Sequence, residues 1–383
     1  MNRITQIISK KIQFDDPCFI SISVSLLFTS VISYWMLTGS NKGMSITEFP
    51  FDDAWIHLVY VRGIINDGVP TYNSKILETG LSSLLWLIVL LPPYILSLYL
   101  GNLVLIVKIY SAIYGWLAVI GCSIISYNIT KQKKSIILSI ILIFLLPAYP
   151  FMMVSGMEVT LSCFCLSYGV IFWLKRKYLK SGLFLGLSCL ARPECAVVLL
   201  MFLCIELTRK ERESYLNRIL QTSLFPFLFG SFWILYNLIV SGYPLPNTFY
   251  VKADLSLVKN IKLVFPKIFF GEFPVNGIVL LFFIALGVTI SLKKIYQRKN
   301  NLCEKENILP NNYLTVLYIF IVVCAGFLGV FATRHIYKYI TFFQQRYYLP
   351  FIFLLIPAAV LGISEIVKNN LLKKRNCTEN LFF

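Results

Sequence analysis

Two adjacent carboxylates, Asp52 and Asp53, head the run Phe-Asp-Asp-Ala-Trp-Ile-His-Leu-Val-Tyr-Val-Arg-Gly at residues 51–63. The run lies between two strongly apolar stretches, Cys18–Leu37 and Leu81–Leu100. Charges beside hydrocarbon must be solvated, paired or used, so two acids kept there are functional candidates by default. A carboxylate held against a reacting hydroxyl takes its proton and supplies roughly 10²–10⁴-fold in rate. The structural alternative is capping, because aspartate at a helix start satisfies free backbone amides and complements the helix dipole. The two members of the pair can divide these uses.

Other polar residues that could do chemistry also stand between apolar stretches. His57 and Arg62 follow Asp53 by four and nine positions, on a short helix expected over Ala54–Ile65. Glu158 closes Ser155-Gly156-Met157-Glu158, and Arg192 and Glu194 flank a proline in Leu190-Ala191-Arg192-Pro193-Glu194. Asn247 and Lys252 fall in Gly242-Tyr243-Pro244-Leu245-Pro246-Asn247-Thr248-Phe249-Tyr250-Val251-Lys252, and Arg346 precedes the last apolar stretch. Arg62, Arg192, Lys252 and Arg346 suit an anionic group, with headgroup pairing or a structural ion pair as the alternative. Glu194 is read as a partner for Arg192. Asp53 with His57 on one helix face is the pair that would ligate a divalent cation, if one is used. Asn247 sits in a proline-rigidified turn, where turn formation and hydrogen bonding to a ligand explain it about equally.

The elements that position these residues follow from composition. The chain has 383 residues, 57% hydrophobic and 14% charged, against roughly 25% charged in a soluble domain. Its net charge of +17 resembles a nucleic-acid signal only until the cations are located. They gather in short clusters between apolar spans, at 10–11, 131–134, 175–180, 209–212, 293–298 and 373–375. That is the positive-inside pattern of a multi-pass membrane protein, and it argues against nucleic acid as a partner. The ten cysteines are scattered without metal or disulfide spacing and read as small apolar side chains.

A bilayer asks for about 20 apolar residues per helix. Spans are expected at Cys18–Leu37, Leu81–Leu100, Leu103–Tyr127, Ile136–Val154, Val159–Trp173, Ser181–Leu190, Cys195–Leu207, Ile219–Val240, Val275–Leu292, Tyr313–Phe331 and Leu349–Val367. The fold expected is all-α, a single membrane domain over residues 1–383 with about 11 to 13 spans. Residues 38–80 form a large first external loop with juxtamembrane helices, and residues 242–273 form a second. Two ordinary spans between Leu81 and Tyr127 would put Lys131–Lys134 outside. A re-entrant or kinked segment at Pro92-Pro93 would return them inside. With the basic clusters inside, the acidic pair, Glu158, Arg192, Asn247, Lys252 and Arg346 all fall on the external side.

In their order and spacing the motifs resemble the GT-C superfamily of membrane glycosyltransferases, over roughly residues 45–255. They comprise Asp52-Asp53-Ala54 with Arg62, Glu78-Thr79-Gly80 running into Ser82-Ser83-Leu84-Leu85-Trp86, Ser155–Glu158, Leu190–Glu194 and Gly242–Lys252, with a weaker echo at Arg346-Tyr347. The likeness is to bacterial arabinofuranosyltransferase-like members bearing an Asp-Asp-Ala motif. Leu81 stands where that pattern usually carries an aromatic residue. The resemblance implies transfer of a sugar from a polyprenyl-phosphate donor to an envelope glycan or lipid acceptor, generally with inversion. The site would face outward from a bacterial cytoplasmic (inner) membrane. It also implies a general base in the acidic pair, with Asp52 first and Asp53 second. Donor phosphate and sugar contacts would come from Arg62, Glu158, Arg192, Asn247, Lys252 and Arg346. The expected partners are membrane lipids, the lipid-linked donor and the acceptor. A flippase or transporter, or a polymerase or ligase of lipid-linked saccharides, is the competing reading. A transporter, however, should carry charges and broken helices near the midplane in related halves.

Overall fold

The computed structural model describes residues 16–38, 45–73, 75–146, 148–208, 214–252, 274–300, 312–333 and 345–379. Among these, every regular element is an α-helix. In chain order they are α1 Pro17–Thr38, α2 Asp52–Asp67, α3 Leu84–Leu100, α4 Leu103–Thr130, α5 Lys134–Phe144, α6 Ala148–Met153 and α7 Val159–Leu174. There follow α8 Tyr178–Ala191, α9 Cys195–Thr208, α10 Tyr215–Ser241, α11 Asn247–Lys252, α12 Pro274–Asn300, α13 Asn312–Thr333 and α14 Leu349–Glu379. Five of them (α1, α4, α10, α12 and α14) contain stretches long and apolar enough to cross a membrane, and six shorter helices are also apolar.

The packing is that of a protein solvated by lipid. Large apolar side chains of α1, among them Leu27, Val31 and Trp35, point outward, while its buried positions are Ser21, Ser25, Thr29 and Met36. Small polar residues inside let helices approach and hydrogen-bond where no water competes. Ser21 Oγ and Ser123 Oγ of α4 stand 2.6 Å apart, and Trp116 Nε1 donates to Ser25 Oγ at 3.0 Å. α10 likewise turns Phe227, Phe232 and Ile239 outward. At its contact with α8, a Cβ on Gly182 would collide with the Thr222 carbonyl oxygen. The centre belongs to α4, α7 and α14, whose facing side chains are mostly buried. The apolar share of α14, expected as an ordinary span, is an inner post of the bundle.

One expected span is divided in the helices observed. Ile136–Val154, expected as one span, divides into α5 and the short α6. Pro147 and Pro150 lie in that stretch of sequence, and a proline lacks the N–H that an unbroken helix needs. The Pro92-Pro93 pair, in contrast, does not end α3, which runs through both. Ser83 caps it by accepting from Trp86 N at 3.4 Å. The first-loop helix is a turn longer than expected, because both aspartates fall within α2 and Gly68 ends it in a left-handed conformation, φ 74°.

Candidate functional site

Six segments distant in sequence meet at one cleft. Its lining comprises Asp53, Ile56 and His57 of α2, residues 80–82, Met157 and Glu158, residues 191–194, Thr248 of α11, and Arg346 with Tyr347. The cleft encloses about 610 Å³, counted to its open mouth.

Each wall is fastened from behind. The turn before α7 places Glu158, and its carbonyls are taken up by the neighbouring helices. Trp86 Nε1 donates to Gly156 O at 3.2 Å, and Ser111 Oγ donates to Met157 O at 3.4 Å. Thr160 Oγ1 returns a hydrogen bond to Ser111 O at 3.0 Å. Arg192 ends α8 in extended backbone, and its carbonyl receives the Cys195 N–H that starts α9. The wall at residues 80–82 hangs from Glu78. Tyr60 Oη donates to Glu78 Oε2 at 3.3 Å, Asn73 Nδ2 to Oε1 at 3.0 Å, and Tyr236 Oη to Glu78 O at 3.1 Å. Asn247 N donates to Thr79 O at 3.1 Å, which ties α11 to the same wall.

Inside, carboxylates and guanidinium groups are interleaved. Arg346 Nη2 lies 2.7 Å from Asp53 Oδ2, and Arg192 Nη1 lies 2.7 Å from Glu158 Oε1. Arg192 Nε also stands 3.8 Å from Glu194 Oε2. Both guanidinium carbons sit 4.9 Å from the centre of the Tyr347 ring, within cation–π range. Arg346 Nη2 also donates to Tyr347 Oη at 3.0 Å. Burial opposes the Arg346 charge, yet Tyr347, Glu158 and Asp53 outweigh it and hold the guanidinium above its ordinary range. Asp53, Glu158 and Glu194 set three carboxylates against two guanidinium groups, so an anion entering the cleft must compete for arginines already engaged. Among the polar atoms of the lining, His57 Nε2, Glu158 Oε2 and Thr248 Oγ1 are buried without a hydrogen-bond partner among the described residues.

The residues singled out by sequence divide accordingly. Asp53, Glu158, Arg192 and Arg346 come together, as do His57 and Glu194. Asp52 is exposed and absent from the lining, one residue and about 100° round α2 from Asp53. Arg62 is exposed too, since nine residues at about 100° each put it half a turn from Asp53. Asn247 turns its side chain outward and leaves its neighbour Thr248 to line the cleft. Lys252 closes α11, where the described side chains stop at Tyr250. Arg334 and His335 lie outside the described residues. Among the described residues no group of three or more His, Cys, Asp or Glu side chains is placed to hold a metal ion; Asp53 and His57 are two. Thr248 and the arginine-flanked ring of Tyr347 are contributions that sequence reading did not single out.

Fold and cleft together define a class: an all-helical protein with helices of membrane-spanning length and a charged cleft built where helices begin and end. Comparison with protein-family models, with characterised proteins and with solved structures gives no match.

Proposed function

We propose that the chain is a membrane glycosyltransferase, moving a sugar from a polyprenyl-phosphate donor to an envelope glycan or lipid acceptor. The observation that carries this reading is the convergence of Asp53, His57, Glu158, Arg192 and Arg346 on one cleft. Such a reaction needs a base for the acceptor hydroxyl and positive charge for the departing phosphate. The N-terminal turns of α2, which bring Asp53 and His57 but not Asp52 into the cleft, supply the base. Arg192 and Arg346 meet the phosphate, and Glu158 meets sugar hydroxyls. The lipid-linked donor arrives by lateral diffusion, and no nucleotide site is required. The fold proposed is GT-C-like, with the five long and six shorter apolar helices forming most of its spans. The cleft then faces the external side of a bacterial cytoplasmic membrane, opposite the basic clusters. The charges gather at helix ends rather than along helix interiors, which favours an enzyme over a transporter.

The test is sugar transfer in proteoliposomes from a panel of polyprenyl-phosphate sugars, with wild type beside Asp53→Asn. Transfer by wild type and its loss in the inserted, folded variant is the expected result. Transfer that survives Asp53→Asn, Arg192→Gln and Arg346→Gln alike would remove the cleft from the reaction.

A further inference from the structure

One hydrogen bond inside α2 decides which nitrogen of His57 can receive a proton. His57 Nδ1 lies 2.8 Å from the backbone oxygen of Asp53, one turn earlier. A carbonyl oxygen only accepts, so Nδ1 carries the hydrogen and donates it. In the neutral imidazole the other nitrogen, Nε2, then bears a lone pair and no hydrogen. The residue is 6% exposed and lines the cleft, and Nε2 has no hydrogen-bond partner among the described residues. Glu158, equally buried, presents Oε2 in the same condition, and Thr248 presents Oγ1. Buried polar atoms left unpartnered are costly, and these atoms in one lining are what a hydroxyl-rich ligand would satisfy. Asp53 is committed otherwise, with Oδ2 held against Arg346 at 2.7 Å.

We propose that His57 Nε2 takes the proton of the acceptor hydroxyl, while Glu158 Oε2 and Thr248 Oγ1 hold neighbouring hydroxyls of a sugar-bearing acceptor. This assignment rests on the glycosyltransfer reading above. In the step, the acceptor oxygen bonds to the anomeric carbon as its proton passes to Nε2. The bond from that carbon to the phosphate oxygen breaks, and its electron pair leaves with the lipid phosphate. Arg192 and Arg346 meet the charge that appears there. The imidazolium keeps its Nδ1–H bond to the Asp53 carbonyl and shares the lining with Asp53, Glu158 and Glu194, with Arg192, Arg346 and Tyr347 completing the charged and titratable groups there. The proton returns to water after product release, and no further reactant is required.

Two measurements test this, and the first needs no activity. The chain has two histidines, so ¹⁵N-histidine spectra of the reconstituted protein, with His335→Gln for assignment, report the His57 tautomer. In the neutral ring, hydrogen on Nδ1 with bare Nε2 is expected; a neutral ring with hydrogen on Nε2 overturns the proposal. The second measurement is transfer kinetics from polyprenyl-phosphate sugars. His57→Asn keeps an amide N–H for the Asp53 carbonyl but has no basic nitrogen. It should lose about 100-fold or more in kcat, with donor KM changed by no more than about threefold. Added imidazole should restore part of the rate to His57→Ala and none to Asp53→Asn. Wild-type kcat in His57→Asn, with loss in Asp53→Asn, would overturn the assignment and leave the glycosyltransfer reading standing. No transfer by wild type from any donor, with the Nδ1–H tautomer present, would overturn that reading and the proton transfer with it.

Discussion

Arg346 closes onto Asp53, Nη2 to Oδ2 at 2.7 Å, and so joins the segment before the last helix to the first turn of the first-loop helix. Tyr347 extends the link, because its ring also faces the Arg192 guanidinium that holds Glu158. Asp53, Arg346, Tyr347, Arg192 and Glu158 thus form one continuous chain of contacts across the cleft. Changes at one end should be felt at the other.

The two adjacent aspartates should therefore differ sharply when each is replaced by asparagine. Asp53→Asn removes the charge that Arg346 holds and should lower transfer by about 100-fold or more, whereas exposed Asp52→Asn should stay within about threefold. Initial rates in proteoliposomes check this. The reverse order would make Asp52 the working carboxylate.

Arg192 and Glu158 are both buried, so separating them should be costly. Breaking a buried pair by removing one partner costs about 3–5 kcal/mol, and Arg192→Met or Glu158→Gln should each lower the unfolding midpoint in detergent. The double variant should lose less than the sum of the singles, because neither charge is then stranded. Additive losses would mean that the pair contributes no coupling.

A second buried pair offers a control distant from the cleft. Arg218 Nε lies 2.6 Å from Glu206 Oε2, and Trp173 Nε1 donates to Glu206 Oε1. Glu206 is roughly 18 Å along α9 from Glu194, near the opposite end of the bundle. Arg218→Leu leaves the Glu206 carboxylate buried beside an apolar side chain and should cost about 3–5 kcal/mol of stability. Donor KM should be unchanged in the protein that remains folded. A raised KM at intact stability would place this pair in the substrate's path.

The wall at residues 80–82 depends on Gly80 being a glycine. A Cβ there would collide with Tyr60 Oη, so Gly80→Ala should cost about 1–3 kcal/mol as an overpacked site. Adding Tyr60→Phe removes the colliding oxygen and should recover part of the loss, as thermal unfolding would show.

The same phenol has a pH signature. Burial and the Glu78 carboxylate hold Tyr60 above its ordinary value of 10.0. A group raised in the folded state contributes stability that is complete below its unfolded value and lost as pH climbs beyond it. Stability should therefore fall above about pH 10, and Tyr60→Phe should make that fall shallower. An unchanged alkaline limb would show that Tyr60 ionises equally well in both states.

Much of this architecture could be read from the order of residues. Apolar runs bounded by charge gave helices such as α4, α7, α9 and α13 within about three residues. The polar turn at Arg192–Glu194 follows from a proline between two charges. The grouping of Asp53, Glu158, Arg192 and Arg346 was approachable because the placing of the basic clusters puts all four on one expected side. Which charge pairs with which was not, since Arg346 meets Asp53 through tertiary packing that no local pattern encodes. Helical phase puts His57, four residues on, beside Asp53, as the sequence reading has it; the same phase sets Arg62, nine residues on, opposite Asp53, and that information was unused. Thr248 carries no signal of its own, being one polar residue among several in a turn.

The Trp86–Gly156 hydrogen bond has a consequence for the surrounding lipid. α3 has 17 residues and is about 26 Å long, shorter than the roughly 30 Å hydrocarbon layer. With α3 as one of the proposed spans, a thicker bilayer would have to thin around so short a helix or shift it, at fractions of a kcal/mol per ångström. Trp86 lies on α3, and the carbonyl it holds belongs to the turn that presents Glu158. On the proposed reading, acyl-chain length would become a mechanical input to the acidic wall, and turnover should pass through an optimum as lipids are lengthened.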